Sequence, residues 1–340
     1  MRIDRTRRAI VSDGYTPGKS LNILQHSIWE FVSRSPLRSQ WNLQGLSVGI
    51  FAKRIWSSIL ADRVFGRAAE LGFYFLFALF PTLFSASSLL GLAARSADQF
   101  YDKILNYLAL VIPTAALGTV LATFNETTAA ATTGKLTFGL IAAIWSASVG
   151  ISAIQDALNA VYKLQDTRSF LRARVYAIGI TITLTVIVTL ILSAMLAGDF
   201  VAAIANHSAY NRFWAAAAAI IARFIGWTIA TALLTLSFAV IYYWAPDVQA
   251  RRWHWITPGG TIGILGWVLA SLGLRVYLHF FNSYSVTYGS LGAVIILLTW
   301  FYISGLVLLV GAEINSQIEA AAAQNRLSEH ALGASLRLDG

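Results

Sequence analysis

The sequence predicts an all-α, polytopic membrane protein with six transmembrane helices, together with amphipathic helices at the N-terminus and on the external side. Two observations predict this class. Of the 340 residues, 57% are hydrophobic and only 12% are charged, whereas a soluble domain carries roughly 25% charged residues. In addition, the hydrophobic residues form runs long enough for a helix to cross a bilayer. A chain of this composition cannot cover a globular surface with solvated groups.

Six apolar runs identify the spans. Each has about the 20 residues that a helix needs to cross the hydrocarbon, with few or no charges. They are residues 71–94, 136–162, 175–198, 224–244, 256–281 and 288–312. The second run contains Asp156 and the fifth contains Arg275, so these two assignments depend on the other residues of each run.

The distribution of Lys and Arg orients the spans, because cytoplasmic loops retain these residues. With six spans, one side of the membrane holds residues 1–70, 163–174, 245–255 and 313–340 and 19 of the 25 Lys and Arg, and the other side holds four. The remaining two, Arg223 and Arg275, lie at or inside spans. We therefore predict that both termini are cytoplasmic. This arrangement accounts for the net charge of +9 without a nucleic-acid partner.

The same reading divides the chain into a basic cytoplasmic N-terminal arm (residues 1–66), a transmembrane domain (67–318) and a cytoplasmic C-terminal tail (319–340). In the arm, apolar residues at helical spacing between Lys and Arg predict an amphipathic helix over residues 50–66, lying in the headgroup region or binding a soluble partner. The external loop 95–135 is predicted to hold another amphipathic helix. A second external stretch, 214–221, is predicted to lead through Arg223 into the fourth span. The arm lacks the features of a secretory signal, so we expect it to remain on the mature protein.

Ionisable residues in or beside the spans are candidates for function, because a charge in hydrocarbon is costly without a partner. Glu70 and Glu313 are predicted at the cytoplasmic ends of the first and sixth spans, and Asp156 about two turns above the cytoplasmic end of the second. Arg275 is predicted in the outer third of the fifth span and Arg223 at the outer end of the fourth. These five residues form the candidate path for a substrate or an ion.

Each of these residues also has a purely structural interpretation. Asp156 contacts a proton or a substrate, or it forms a buried tie to a cytoplasmic arginine; its candidate partners are Arg67, Arg172 and Arg174. Pairing of Asp156 with Arg275 is not expected, because at ~1.5 Å per residue their levels differ by well over ~10 Å. Arg275 binds an anionic headgroup or substrate, or it caps a helix end. For the two glutamates the simpler interpretation is a tie at the interface.

Most classes of chemistry lack the residues that they need. The chain has no cysteine, its five histidines are scattered singly, and it contains neither a phosphate-binding G-x-x-x-x-G-K-[ST] loop nor a G-x-S-x-G nucleophile motif. We therefore predict no enzymatic activity, no cofactor and no metal. The expected partner is the lipid bilayer, including its anionic lipids, with no nucleic acid; the oligomeric state is left open.

Proline and glycine positions predict how the helices pack. Pro81 in the middle of the first span predicts a kink, and Pro258 is expected in the first turn of the fifth span. Small residues recur in the fifth and sixth spans, including Gly259 and Gly311. Such residues let helices approach closely.

Several motifs occur in a fixed order along the chain. They are residues 67–81 (RAAELGFYFLFALFP) ending at Pro81, Trp145-Ser-Ala-Ser, Asp156-Ala-Leu-Asn159, Tyr242-Tyr-Trp-Ala-Pro246, Trp255-Ile-Thr-Pro258-Gly259, Tyr288-Gly289-Ser-Leu-Gly, Trp300-Phe-Tyr and Gly311-Ala-Glu-Ile-Asn. With these motifs, residues 45–318 closely resemble the YihY/BrkB family of bacterial inner-membrane proteins. One departure is Asp247, where the family often has Asn after the proline of the Tyr-x-x-Pro turn.

The resemblance implies six spans in a bacterial cytoplasmic membrane. Some members of the family are linked to serum resistance or to export of envelope lipids, and an old label as ribonuclease BN became attached to it. The residues of this chain argue against that label, since no acidic metal cluster is visible in the sequence.

Two functions follow as competing hypotheses. The first is translocation or export of an anionic amphiphile or envelope lipid, through a cleft among the first, second, fifth and sixth spans. The second is a non-transporting membrane scaffold whose N-terminal arm recruits partners or anionic lipid.

Overall fold

The structure is a computed structural model that describes residues 47–93, 133–208, 212–248, 253, 255–280 and 290–336. Within these ranges it describes only the backbone at residues 80–93, 133–136, 205–208, 212, 215, 290 and 326–336. The described ranges form seven α-helices: α1 Val48–Ala61, α2 Val64–Ala93, α3 Thr133–Val161, α4 Phe170–Ser208, α5 Arg212–Trp244, α6 Pro258–Phe280 and α7 Ser290–Leu336. The predicted all-α class is confirmed for this part of the chain.

Five of these helices, α3 to α7, are long and apolar enough to cross a membrane. The first predicted span, 71–94, falls on α2, a helix of 30 residues whose side chains are described as far as Leu79. The chain is therefore a helical membrane protein. The N-terminal 46 residues and the predicted amphipathic helix of the 95–135 loop lie outside the described residues.

Three helices extend furthest past the ends of the predicted spans. α4 begins at Phe170 and runs to Ser208, and α7 continues to Leu336. α5 begins at Arg212 instead of Phe224, so residues 214–221 form the first part of α5 and lead through Arg223 into the fourth predicted span within one helix. Residues 215–219 are five consecutive alanines, the residue with the highest helix propensity, and nothing in the sequence interrupts the helix there.

The short helix α1 covers the second half of α7. Phe51 of α1 packs with Ile314, Ile318 and Ala322 of α7, and Arg54 donates a hydrogen bond to the Gln324 side chain at 3.1 Å. The opposite face of α1 exposes large apolar side chains, namely Val48, Ile50, Trp56 and Leu60. A helix therefore covers residues 50–61 of the predicted stretch 50–66, but it ends at Ala61, and residues 64–66 belong to α2. Its place in the headgroup region stays a prediction.

The long helices pack mainly as neighbours, α4 against α5, and α2 against both α3 and α7, while α6 packs against α7. Glycines allow the backbones to approach. A Cβ atom on Gly72 of α2 would lie 3.1 Å from the Tyr302 backbone nitrogen of α7, and one on Gly305 of α7 would lie 3.1 Å from Leu71 Cβ. In the α4–α5 pair, a Cβ atom on Gly226 would lie 2.9 Å from the Ala194 carbonyl oxygen.

The main core lies at one end of the bundle, which we call the closed end. This end contains α1, residues 162–169 between α3 and α4, residues 245–248, 253 and 255–257 between α5 and α6, and α7 from Leu308 onward. The core residues there include the fully buried Val64, Leu158 and Leu309, from three different helices. The closed end also buries polar side chains: Gln155, Asn159, Thr257, Glu313, Asn315 and Ser316.

Helix α6 is attached mainly along one side. Its buried residues are the glycines of its first two turns, Gly259, Gly260 and Gly263. The Phe238 ring of α5 would lie 3.1 Å from a Cβ atom on Gly263, and the Tyr242 hydroxyl would lie 3.3 Å from it. Beyond these turns, α6 exposes a series of large apolar side chains: Leu265, Val268, Leu269, Leu272, Val276 and Phe280.

Candidate functional site

The segment between α3 and α4 is tied to the segment after α5 by a group that we call the loop clasp: Asn159, Asp166, Thr167, Arg168 and Asp247. Oδ2 of Asp247 accepts hydrogen bonds from the Thr167 backbone N–H at 2.9 Å and from its hydroxyl at 2.7 Å. The Asp247 backbone N–H donates to Asn159 Oδ1 at 2.7 Å. Asn159 Nδ2 donates in turn to Asp166 Oδ2 at 3.1 Å. The buried amide of Asn159 thus joins both loops.

Arg168 completes the loop clasp. Its side chain is only 4% exposed, lies 2.7 Å from Asp166 Oδ2, donates to the Ala245 carbonyl oxygen at 3.3 Å and lies 3.8 Å from Asp247 Oδ1. The hydrogen bond with Asp166 raises the pKa of Arg168 and, from the other partner, lowers the pKa of Asp166. Both groups are therefore held in their charged forms.

The loop clasp gives Asp247 a role that the sequence did not reveal. Both oxygens of the carboxylate are engaged, one by Thr167 and the other by the Arg168 charge. An asparagine at this position offers a single acceptor oxygen and no charge. The departure from the family's usual residue therefore strengthens the contact to Arg168.

The start of α6 crosses α7 at backbone distance. A Cβ atom on Gly259 would overlap the Gly311 carbonyl oxygen, and one on Gly311 would overlap the Tyr242 hydroxyl. The Gly259 N–H donates to Asn315 Oδ1 at 2.9 Å, and Asn315 Nδ2 donates to Thr257 Oγ1 at 3.0 Å. This is the close approach expected of small residues, and Pro258 stands at the first position of α6 as predicted.

Glu313 is buried more deeply than predicted. The side chain has no exposed surface, and neither carboxylate oxygen has a hydrogen-bond partner among the described residues. Gln317, one turn further along α7, donates its amide to Ser58 of α1 at 2.8 Å. The simpler prediction for Glu313, an interfacial tie, is therefore not what the structure contains.

Lys163 is the positive charge that acts on Glu313. It follows the end of α3 with a φ of 54°, a left-handed conformation in which glycine is usual at the end of a helix. Its ammonium forms an ion pair with Asp62, which caps the end of α1. Burial lowers the pKa of Lys163, and the charge of Glu313 acts in the opposite direction. Sequence reasoning missed Asp62 and Lys163, because they lie 101 residues apart.

Glu70 and Asp156 form an exposed pair of acids at the closed end. Both side chains are exposed, so Asp156 is not the buried residue that was predicted. Asp156 lies within electrostatic range of Glu70 and Asp166, and of the arginines Arg67 and Arg168. Of its three predicted partners, Arg67 is therefore a neighbour. Arg275 is not among the charges that act on Asp156, in agreement with the predicted separation.

Arg174 has another partner than Asp156. Its guanidinium carbon lies 4.2 Å from the centre of the Trp145 ring, and its nitrogens donate to the Trp145 carbonyl oxygen and to Ser152 Oγ, each at 3.3 Å. The predicted tie between Arg174 and Asp156 is wrong, because this cation–π contact holds the guanidinium against α3. It also places Trp145 of the family motif in a contact between α3 and α4.

The two outer arginines lie in different settings. Arg223 is a residue within α5 and not at its end, and its Nε lies 3.2 Å from Asp199 Oδ1 of α4, with both side chains partly exposed. Arg275 lies in the last turns of α6 and is partly exposed. The structure therefore does not bring the five candidate residues into one site. Three acids lie at the closed end, and the two arginines lie on other parts of the helices.

The remaining motif residues are described in part. Trp300 Nε1 donates to Ser271 Oγ at 3.4 Å, which joins α7 to α6, and Pro246 is fully buried beside the loop clasp. The backbone of α2 is helical through Pro81, and the predicted kink stays a prediction. Tyr288 and Gly289 lie outside the described residues. In the described residues, no three His, Asp or Glu side chains are grouped so that they could hold a metal ion.

Comparison with known proteins identifies relatives. The family model for Virulence factor BrkB matches residues 55–332. The ribonuclease-like protein YfkH of Bacillus subtilis is 33% identical over 274 residues, which cover 78% of this chain and 94% of that protein. A UPF0761 membrane protein of Stenotrophomonas maltophilia is 29% identical over 281 residues, and one of Xanthomonas oryzae is 26% identical over 272 residues.

The match covers 79% of this chain in both UPF0761 proteins but only 61% of their own length. No solved structure matches the chain. The family model covers most of the residues that form the closed end, from α1 to the second half of α7. The chain therefore belongs to the BrkB family, as its motifs predict.

Proposed function

We propose that this BrkB-family protein moves an anionic amphiphile, most simply an envelope lipid, across the bacterial inner membrane and is not an enzyme. In this proposal α2 to α7 are six spans and both termini are cytoplasmic. The observation that carries the proposal is the way α6 is attached to the other helices.

We interpret the sparse contacts of α6 with α5 as a lateral opening between these two helices. The contacts between α5 and α6 at the closed end are made by Phe238 and Tyr242 with Gly260 and Gly263. Further along, both helices present apolar side chains outward, such as Ile229 on α5 and Leu269 on α6. Such a gap admits acyl chains from the bilayer, because its walls are apolar and it is open on the side of the lipid.

Arg275 supplies the positive charge that an anionic headgroup needs along this opening. It lies on α6 beyond the turns that contact α5, and it is partly exposed. A guanidinium binds a phosphate with two parallel hydrogen bonds. A lipid with a phosphate headgroup therefore fits an opening that is apolar along its length and positive near the outer end of α6.

The basic residues of the closed end support the orientation with this end in the cytoplasm. Basic residues concentrate there, including Lys53, Arg54 and Arg63 on or after α1 and Lys163 and Arg168 after α3. Four aromatic rings also lie together at this end, with centres 5.0 to 6.2 Å apart: Tyr243, Trp244, Trp253 and Trp255. Aromatic residues of this kind are enriched at both membrane interfaces, so the cluster supports a place at headgroup level and leaves the choice of side to the basic residues.

Leaflet exchange of a fluorescent phosphatidylglycerol in vesicles that contain the purified protein tests this proposal. We expect exchange with the wild type, and at least a tenfold loss in Arg275→Ala, which removes about 1.4 kcal/mol or more of headgroup binding. Arg223→Ala is the matched control, because it removes an arginine from α5 that faces Asp199 instead of the opening. Equal exchange in the three proteins, or none above empty vesicles, contradicts the proposal.

The alternative function is a membrane scaffold whose N-terminal arm recruits a partner or anionic lipid. The outward apolar face of α1, which includes Trp56 and Leu60, favours it, because such a face is suited to a partner helix or the headgroup region. Deletion of residues 1–45 distinguishes the two functions. The scaffold proposal expects loss of function with normal insertion, and the transport proposal expects exchange to continue.

A further inference from the structure

Glu313 is held in a place where a carboxylate anion has no compensation. It is completely buried, and so are its neighbours Ala312, Asn315 and Ser316. Neither of its oxygens accepts a hydrogen bond from any described residue. Removing an ionised carboxylate from water costs several kcal/mol unless donors replace the water. A protonated Glu313 avoids this cost, because a neutral acid is far less dependent on such donors.

The groups around Glu313 are already engaged elsewhere. From α7 itself, the Gln317 amide lies close enough to act on Glu313, but its hydrogen bond is donated to Ser58. From α5, the Tyr242 hydroxyl donates to the Leu308 carbonyl oxygen at 2.8 Å. Arg67 of α2 is not among the charges that act on Glu313, and it donates to the Asp62 carbonyl oxygen at 3.1 Å. Tyr162, directly after α3, lies within electrostatic range of both Glu313 and Glu319, and its ring is buried. None of these groups supplies a positive charge to Glu313.

One ammonium therefore faces two carboxylates. Lys163 pairs with Asp62 and acts electrostatically on Glu313. The second oxygen of Asp62, Oδ2, is buried and has no partner among the described residues. The Lys163 side chain is 34% exposed, so its long chain has room to move. Its backbone keeps a left-handed conformation that glycine would adopt with less strain, which indicates that the side chain itself is needed.

We propose that Glu313 is a proton-binding site at which the bound proton and the Lys163 ammonium replace each other. In one state Glu313 carries the proton and Lys163 pairs with Asp62. In the other state the proton has passed from the Glu313 carboxyl to water at the closed end, and the ammonium has moved to the Glu313 carboxylate. Asp62 is then released, which loosens the junction of α1, α2 and α3.

Proton binding at Glu313 does not depend on the proposed transport of lipid, although it would give that transport a coupling ion. The test is infrared difference spectroscopy of the full chain in lipid nanodiscs, which reports the C=O stretch of protonated carboxylic acids. We expect a carboxylic acid band in the wild type at neutral pH that disappears at alkaline pH. Glu313→Gln lacks this band at both pH values, whereas the exposed control Glu70→Gln keeps it.

Asp62→Asn tests the exchange. Without its competitor, Glu313 becomes the ion-pair partner of Lys163, so the carboxylic acid band at neutral pH should be lost or shifted to lower pH. A band that persists in Glu313→Gln overturns the proton-binding site. A band unchanged in Asp62→Asn overturns the exchange with Lys163. Because the readout does not involve lipid, failure of the transport proposal leaves these outcomes unaffected.

Glu313→Gln should fold, since a neutral amide of the same size replaces a neutral acid. If it does not insert, the wild type provides a second measurement. The chain contains only six glutamates, and the carbon-13 shift of a labelled glutamate carboxyl distinguishes the acid from the anion in solid-state NMR. One protonated glutamate at neutral pH supports the proposal, and six ionised glutamates overturn it.

Discussion

The closed end and the crossing of α4 with α5 both bring backbones together at glycine, but they differ in what surrounds the glycines. At the closed end, Gly259 and Gly311 lie beside buried polar groups such as Asn315. In the α4–α5 pair, Gly198 and Gly226 lie near a single ion pair whose arginine side chain is 56% exposed. The contact at Gly259 and Gly311 depends on the buried polar groups around it. The contact at Gly198 and Gly226 depends mainly on close backbone packing.

This difference indicates which of the two regions serves function and which serves only the packing of helices. Two helices held by glycine contacts need no buried charge, because close packing alone stabilises them in lipid. The closed end nevertheless keeps Glu313 and the loop clasp, although buried charges are expensive. Most of the family motifs whose side chains are described also lie there, at Asn159, Pro246 and Gly259. We infer that the closed end serves function, through the proton-binding site proposed at Glu313, and that the α4–α5 pair is a structural wall.

Gly311→Ala provides the strongest test of this difference between the two regions. A methyl group there would overlap the Tyr242 hydroxyl and come too close to the Gly259 carbonyl, so α6 must move away from α7. We expect a loss of about 3 kcal/mol, measured by thermal unfolding in nanodiscs. Gly273→Ala in α6 is the matched control, since nothing lies within 4 Å of its Cβ position. An equal effect in both variants contradicts the close crossing.

Asn159→Leu should have the next largest effect. The amide of Asn159 accepts from the Asp247 N–H and donates to Asp166, so a leucine leaves two partners unsatisfied at a cost of about 2 kcal/mol. Thermal unfolding would report this loss of stability, and hydrogen exchange would report weaker protection of residues 162–169. Exposed Thr189→Leu on α4 is the control. If Asn159→Leu leaves the 162–169 segment as protected as the control does, the loop clasp does not hold it.

These two cases show how much the sequence could predict. The helices and the glycine contacts of α6 and α7 follow from apolar runs and motifs, because both are local patterns. The loop clasp does not, because Thr167 and Asp247 are 80 residues apart. The exposure of Asp156 was also unpredictable, since hydropathy gives the depth of a residue but not the direction it faces around its helix.

Gly226→Ala tests the structural wall. A methyl group would lie 2.9 Å from the Ala194 carbonyl oxygen, which costs about 1–3 kcal/mol from overpacking, offset in part by the higher helix propensity of alanine. We expect a net loss of about 1 kcal/mol, clearly smaller than for Gly311→Ala. Gly179→Ala on α4 has open space around its Cβ position and should be neutral or stabilising. A loss as large as that of Gly311→Ala would remove the distinction between the two regions.

Acidification should weaken the closed end but not the α4–α5 pair. The hydrogen bond from Arg168 lowers the pKa of Asp166. A carboxyl with a lowered pKa stabilises the fold above its ordinary pKa of about 3.9, and this contribution is lost as the pH falls through and below that value. We expect a loss under about 1 kcal/mol, because the side chain is partly exposed. At neutral pH the free energy of unfolding of Asp166→Asn should be lower than that of the wild type, and it should fall less on acidification. A stability profile against pH identical to that of the wild type contradicts this.

The smallest effect is expected from Arg223→Ala. Its ion pair with Asp199 spans 3.2 Å, but the two side chains are 56% and 32% exposed, and exposed pairs contribute about 0–1 kcal/mol. The unfolding temperature should therefore change little, and the double variant Arg223→Ala with Asp199→Ala should match the sum of the single changes within about 0.5 kcal/mol. A strong coupling between the two would mean that the α4–α5 pair also depends on charge. The closed end would then no longer be the only described region where ion pairs help hold helices and loops together.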